Sequence, residues 1–256
     1  MLKKRRFFIR LFLIGLLISV YIWAWQGLKV DLTAIQDGGK YVWVFLSDFF
    51  PPDWQVLPLA LEALLETIQM SIIGTTIGAI LSLPIAIISA NNLSPFWLRS
   101  VGNLIQNGLR SIPSIILALI FVSAIGLGSI AGTFALGVYS IGYLAKFYQE
   151  AIESVEANSL QALQVTGASW LQIAQYGILP QILPLSLGYT LYMFEYNIRA
   201  ASILGVVGAG GIGFELVGYI NGFERTKALT FILVMLVVVT TIDWGSAKLR
   251  QKLVEN

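Results

Sequence analysis

Apolar positions in this chain fall into long blocks separated by short polar stretches. Residues 11–28, 67–89, 112–128, 130–146, 182–203 and 228–244 are runs long enough, with tilt, to cross a hydrocarbon core of about 30 Å. The pattern predicts an all-α polytopic bundle of about six transmembrane helices. The first run resembles a secretion signal, but it is longer than an ordinary signal core. The Gln26-Gly27-Leu28-Lys29 sequence that follows also lacks a small-residue cleavage pattern, so it reads as a retained anchor. Residues 1–60 are expected to form this anchor and an external amphipathic segment. Residues 61–256 are expected to form the main bundle, with a cytoplasmic loop at 149–180.

Composition strengthens this picture: hydrophobic residues make up 57% of the 256 positions and charged residues 12%, about half the charged share of a soluble domain. Cysteine and histidine are both absent, which removes thiolate and imidazole metal sites and any nucleophilic mechanism that needs a histidine base. The net charge is +2, and the basic residues collect at the two ends, with no stripe suited to nucleic acid. Lys3, Lys4, Arg5, Arg6 and Arg10 at one end, and Lys248, Arg250 and Lys252 at the other, predict that both termini face the cytoplasm. An even number of crossings fits. The same orientation puts residues 149–177 inside and 29–61 outside. Around Phe49-Phe50-Pro51-Pro52-Asp53-Trp54 a helix stop meets aromatic interface residues, and short helices lying along the membrane are expected there.

Glycines at four-residue spacing, Gly74 with Gly78, Gly128 with Gly132 and Gly218 with Gly222, predict close approach of helix backbones. They say nothing about what the bundle carries.

Three segments bear on function. In the inner loop, Leu160, Leu163, Leu171, Ala174 and Ile178 recur near helical spacing, and Gly167 sits where two short helices turn against each other. Such a helix–Gly–helix is a knob for a partner's groove. The stretch resembles the coupling loop of ABC-importer permeases, in which Glu-Ala-Ala is followed by a Gly and then a Leu-Pro. Gln161, Ala162 and Leu163 occupy the Glu-Ala-Ala positions, and Gly167-Ala168 and Leu179-Pro180 keep the family spacing. Gln161 replaces the acid, which removes a salt bridge to the ATPase but leaves a hydrogen-bonding amide.

The second segment runs from Glu195 to Leu216. Gly208 to Gly213 reads literally as a G-x-G-x-x-G dinucleotide fingerprint, but it follows an apolar helix with no strand-helix-strand unit around it. Its glycines are expected to break a helix near the outer side and to permit close packing or a hinge. A new helix start there presents N–H groups that favour an anion. Arg199 is an arginine deep inside an expected span, where a charge is costly unless paired or functional. Glu195 lies one turn earlier, so an intrahelical ion pair is the first expectation and contact with substrate the second. Arg199, with Asn197, Gly208, Gly210, Gly211 and Gly213, forms the candidate substrate path. In the third segment, Arg110-Ser111-Ile112-Pro113, the proline opens a span and Arg110 is expected to anchor it by reaching for headgroups.

Taken together, Arg110-Ser111-Ile112-Pro113, Val165-Thr166-Gly167-Ala168-Ser169, Tyr176-Gly177-Ile178-Leu179-Pro180-Gln181 and the block from Asn197 to Gly213 resemble the phosphonate-importer permease family over about residues 60–250. Methionine-type permeases share the Gly-rich block and the Leu-Pro. The resemblance implies the ABC importer permease fold in a bacterial inner membrane. It also implies a second copy of the chain, a dimer of ATPase subunits and an external solute-binding protein as partners. The solute would be phosphonate, phosphite or phosphate. The sequence agrees on one point by itself: Gly39-Lys40 lacks the remainder of a phosphate-binding loop. No cofactor is expected in this chain, ATP and magnesium being held by the partner. An ion-coupled secondary transporter is the competing class, with Glu195 as its deep acid. A membrane-embedded enzyme, without histidine, cysteine or paired acids, is a distant third.

Overall fold

The apolar runs fold into helices throughout the computed structural model, which describes residues 2–28, 32–156, 163, 165–169 and 172–255. The chain divides into two compact units, Met1–Asp48 and Phe49–Asn256. The first contains α1 (Leu2–Gly27) and α2 (Leu32–Ser47). Within α1, Ile9–Gly27 is long and apolar enough to cross a membrane. Apolar side chains lie on every face of the helix over Ile9–Gly27, as in a membrane-crossing segment.

The second unit opens with a 3-10 turn at Trp54–Val56 and continues as α3 (Leu57–Ser89), α4 (Phe96–Ser111), α5 (Ser114–Ile125) and α6 (Ser129–Glu153). After the segment before residue 173 come a π-helical turn (Ile173–Ile178), α7 (Leu179–Leu204), a 3-10 turn (Gly205–Val207), α8 (Gly211–Asn221) and α9 (Arg225–Glu255). Among the described residues four helices are long and apolar enough to span, and up to six spans result if each bent pair counts as one.

The boundary between the compact units falls after Asp48. Residues 49–56 belong with the bundle because Asp53 is tied to α9. Its N–H donates to the Thr226 carbonyl at 3.2 Å, and Thr230 Oγ1 donates to the Asp53 carbonyl at 2.7 Å. The expected external segment at 29–61 holds one 16-residue helix, the 3-10 turn and the start of α3.

Two expected spans change length for identifiable reasons. The run at 67–89 begins ten residues early, at Leu57, with a proline in the first turn of α3. Ala60, Ala63, Leu64, Thr67 and Met70 are all buried, a stripe at helical spacing that carries the helix past exposed Glu62. The run at 112–128 does not form one crossing. Pro113 has no N–H and pushes Ile112 into an extended conformation (φ −93°, ψ 118°). The chain turns 84° between α4 and α5 at this point. α5 alone, at 12 residues, is about 18 Å long, too short for the hydrocarbon core. Crossing there requires α4 as well.

Lipid tails are as apolar as leucine, so close packing and interhelical hydrogen bonds hold such a bundle together, with little help from hydrophobic transfer. The α3–α6 contact uses close packing, and Asn197 of α7 hydrogen-bonds to Thr75 of the one and Ser140 of the other. A Cβ at Gly74 would lie 2.9 Å from Leu136 Cβ, and one at Gly78 would collide with Ser140, so the predicted small-residue spacing is a contact face. Gly132 likewise packs on Met70 and Ala209. Gly218 does not follow the prediction: a Cβ there meets nothing within 4 Å. Met70, Leu136, Leu144, Met193 and Leu204 form the largest buried cluster, at the meeting of α3, α6 and α7.

Candidate functional site

The segment around Gly167 keeps the local chemistry read from its sequence among the described residues. Gly167 is left-handed (φ +79°), and the Ala168 N–H reaches back to the Leu163 carbonyl at 3.3 Å, the bond that ends a helix in a Schellman motif. A new helix start follows at once. The Ser169 N–H donates to Gln172 Oε1 at 2.8 Å, and the Gln172 N–H points back to Ser169 Oγ at 3.4 Å, a reciprocal capping box. Gly167 thus stops one element and Ser169 starts the next. The π turn Ile173–Ile178 then feeds α7, with Pro180 in its first turn, where a missing N–H costs nothing. Gln161 and Ala162 lie outside the described residues.

The upstream end of this segment differs from expectation. Gln149, expected to open the loop, lies in α6 and is 3% exposed. Its amide takes part in a polar joint between α6, α4 and the α3–α4 connection. Gln106 Nε2 donates to Gln149 Oε1 at 2.6 Å, and Gln149 Nε2 donates to Glu153 Oε1 at 2.9 Å. The Asn91 N–H donates to the same Glu153 oxygen at 2.8 Å. Arg99 Nη1 donates to Asn91 Oδ1 at 2.6 Å, and Asn92 Nδ2 to the Ile152 carbonyl at 2.8 Å. The last turn of α6 is therefore fastened to two other elements.

The second candidate region is a helix break, as the glycines predicted. The Ala209 N–H bonds to the Leu204 carbonyl at 3.3 Å with Gly208 left-handed (φ +82°), again a Schellman ending. The chain bends by 43° before α8 begins at Gly211. The Gly208 carbonyl accepts from the Gly128 N–H at 2.9 Å. Close approach requires glycine next to it, where a Cβ at Gly210 would sit 2.6 Å from Ser129 N. One at Gly213 would collide with the Ser202 carbonyl. The new helix start is not an open ring of donors: the Ile212 N–H is taken by Thr67 Oγ1 at 2.8 Å, and Gly211 and Ile212 are buried.

Asn197 and Arg199, two residues apart on α7, face different surroundings. Asn197 is fully buried and its Nδ2 donates to Thr75 Oγ1 and Ser140 Oγ, both at 2.8 Å. It joins α3, α6 and α7 as structural glue, and its Oδ1 meets no donor among the described residues. Arg199 looks outward into a cavity of about 620 Å³ between α7, α8 and α9, whose wall includes Ile203, Val206, Leu216, Met235 and Thr240.

The expected intrahelical Glu195–Arg199 pair is not formed. Arg199 Nη1 reaches both oxygens of Asp243, at 2.9 and 2.7 Å, and Glu195 accepts from Arg250 at 2.6 Å. Both partners come from α9, because α7 and α9 run side by side and present opposite charges in register. Sequence reasoning missed Asp243 and Arg250. The signal was available: Asp243 is the single charge in the run at 228–244, and an acid so placed calls for a partner.

Arg110 also departs from expectation. Its guanidinium lies 5.0 Å from the Tyr143 ring centroid, above Gly142, where a Cβ would meet Arg110 Cγ at 3.0 Å. It packs on the Tyr143 face of α6. The lack of a side chain at Gly142 admits the contact, and the ring face attracts the cation. Its Nε is buried without a hydrogen-bond partner among the described residues.

Residues 82–255 match the family described as binding-protein-dependent transport system inner membrane component. The chain is 36% identical over 233 residues to the phosphite transport system permease protein PtxC of Stutzerimonas stutzeri, covering 91% of this chain and 85% of that one. It is 35% identical to the phosphate-import permease protein PhnE of Mycolicibacterium smegmatis, over 94% of this chain and 46% of that longer one. A probable D-methionine transport system permease protein of Vibrio cholerae is 28% identical over 75% of this chain. Among solved structures, the inward-facing MetNI methionine ABC transporter has a chain that superposes with a TM-score of 0.69 at 22% identity. The match covers 78% of this chain and 99% of that one, so the fold is shared.

Proposed function

The chain belongs to the binding-protein-dependent transport system inner membrane components, and from that premise we propose that it passes a phosphorus oxyanion (phosphonate, phosphite or phosphate) inward across the membrane at the expense of ATP. The observation that carries this reading is the 36% identity to a phosphite permease over 91% of the chain. Two copies of the chain flank the path, and an external binding protein delivers the solute. A pair of ATPase subunits supplies ATP and magnesium chemistry, while this chain holds neither. Both termini and the segment around Gly167 face the cytoplasm, following the distribution of Lys and Arg. Gln161, Ala162, Leu163, Gly167, Ala168, Leu179 and Pro180 form the surface that takes the ATPase stroke. Rigid-body rocking of the helices then alternates access.

A helix–Gly–helix with a Schellman stop and an immediate capping box suits the docking role, since it holds its shape without support from the membrane. The test is uptake of labelled phosphite by vesicles containing the permease, the ATPase and the binding protein. Uptake should require ATP inside and survive collapse of ion gradients by ionophores. Uptake driven by an ion gradient with the ATPase omitted would instead establish a secondary transporter. The absence of native cysteine makes topology direct to check: Ser169→Cys should react with an impermeant thiol reagent only after the inner face is opened.

A further inference from the structure

Arg199 and Asp243 lie within membrane-spanning helices, yet their side chains remain 44% and 39% exposed. Facing hydrocarbon, such charges would be costly even as a pair. Their open side therefore faces water or protein. The cavity of about 620 Å³ opens at the same place, with Arg199 in a mostly apolar wall that also includes Ser202 and Thr240.

The pairing geometry is informative. Both Asp243 oxygens converge on one guanidinium nitrogen, Nη1. The fork presented by Nη2 and Nε is left to other acceptors, and a guanidinium fork is well matched to a phosphorus oxyanion. A carboxylate on Nη1 and an incoming oxyanion would compete for one cation. The other pair offers a contrast. Glu195 is 6% exposed in its bond with Arg250 and is enclosed, as a helix fastener would be.

We propose that Asp243 is the resting occupant of an anion site centred on Arg199, and that a phosphorus oxyanion displaces its carboxylate during passage. This rests on the proposed function for the class of anion. With the path empty, the pair is neutral, so Arg199 can remain in the membrane at low cost and does not act as a permanent trap. Conduction needs binding that is favourable enough to admit a solute and weak enough to release it. An internal competitor supplies the second condition, because it lowers apparent affinity by the fraction of time that the guanidinium is occupied.

The test uses the permease–ATPase complex in lipid nanodiscs, without binding protein, and measures equilibrium binding of labelled inorganic phosphate. Wild type should bind weakly and Asp243→Asn about tenfold more tightly, with competition by phosphite and a loss of affinity at high salt. Asp243→Glu, which keeps the competitor, should bind as weakly as wild type. The Arg199→Gln/Asp243→Asn double variant should not bind. Thr240→Cys supplies a second readout with the native pair intact: phosphate, but not chloride, should slow its reaction with a thiol reagent. If Asp243→Asn inserts normally and binds no more phosphate than wild type, or if Thr240→Cys is indifferent to phosphate, the pair is structural and the proposal fails. Continued phosphite uptake by the wild-type system in that case would leave the proposed function standing. Conversely, Asp243→Asn that gains affinity for sulfate as well as phosphate, in a system that takes up no phosphorus oxyanion, keeps the site and overturns the substrate class.

Discussion

Arg199 Nη1 lies 2.9 and 2.7 Å from the two carboxylate oxygens of Asp243, a residue 44 positions further along the chain. Glu195, one turn from Arg199 on the same helix, turns instead to Arg250, 55 positions away, at 2.6 Å. Two opposite ion pairs therefore bridge α7 and α9. Spacing along one helix made Glu195 and Arg199 natural partners, but an i,i+4 pair contributes only about 0.3–0.5 kcal/mol. The neighbouring helix offers both charges better company.

The enclosed pair should govern stability. Arg250→Gln leaves the Glu195 carboxylate, 6% exposed, without its counter-charge, a loss of about 3 kcal/mol or more for a buried charge. The detergent-solubilised protein should melt at lower temperature. Glu195→Gln/Arg250→Gln should recover most of the loss because no lone charge remains. Equal melting of the single and double variants would mean that Arg250 acts through packing alone.

The glycines of the break differ in what they tolerate. A Cβ at Gly213 would run into the Ser202 carbonyl, so Gly213→Ala should disrupt the α7–α8 turn and lower the yield of folded protein. Gly218 lies in α8 facing open space, and Gly218→Ala should change stability by no more than about 1 kcal/mol, in the favourable direction. Thermal unfolding of both variants in the same detergent separates them.

At Gly167 the restriction is conformational, since nothing lies within 4 Å of an added Cβ but φ is +79°. A β-branched residue resists that conformation, whereas asparagine visits it readily. Gly167→Val should abolish ATP-driven uptake with insertion intact, while Gly167→Asn should retain most of it. Equal loss in both would point to a contact of the Gly167 surface with the partner, with the turn itself playing no part.

The joint at Glu153 should transmit the stroke from the inner loop to α4. Glu153→Ala removes the acceptor shared by the Asn91 N–H and Gln149 Nε2, whereas Glu153→Gln retains an amide oxygen in its place. The alanine variant should hydrolyse ATP with reduced uptake per ATP, and the glutamine variant should stay close to wild type. Proportional loss of hydrolysis and uptake in the alanine variant would show that the joint serves assembly and not coupling.

Much of this architecture was legible in the residue pattern because lipid imposes simple rules. Apolar runs became helices, the Gly208–Gly213 cluster became a break, and Gly167 became a left-handed helix stop. Information carried by tertiary neighbours was not legible. The stripe from Ala60 to Met70 was present in the sequence, but the acids Glu62 and Glu66 depressed its mean hydropathy and hid the true start of α3. The bend at Pro113 was readable from the X-Pro restriction, yet the apolar run across it suggested one continuous span. Arg110 was expected to reach outward because arginines at span ends usually do. The bare surface at Gly142 and the ring face of Tyr143, both on another helix, draw it there.

Passage of a phosphorus oxyanion under the drive of ATP is tested by competition for uptake in the reconstituted system with its own binding protein and ATPase. Labelled phosphite should accumulate only with ATP, and unlabelled phosphonate or phosphate should suppress its accumulation while methionine in large excess leaves it unchanged. Accumulation of methionine with no uptake of phosphite would contradict the account.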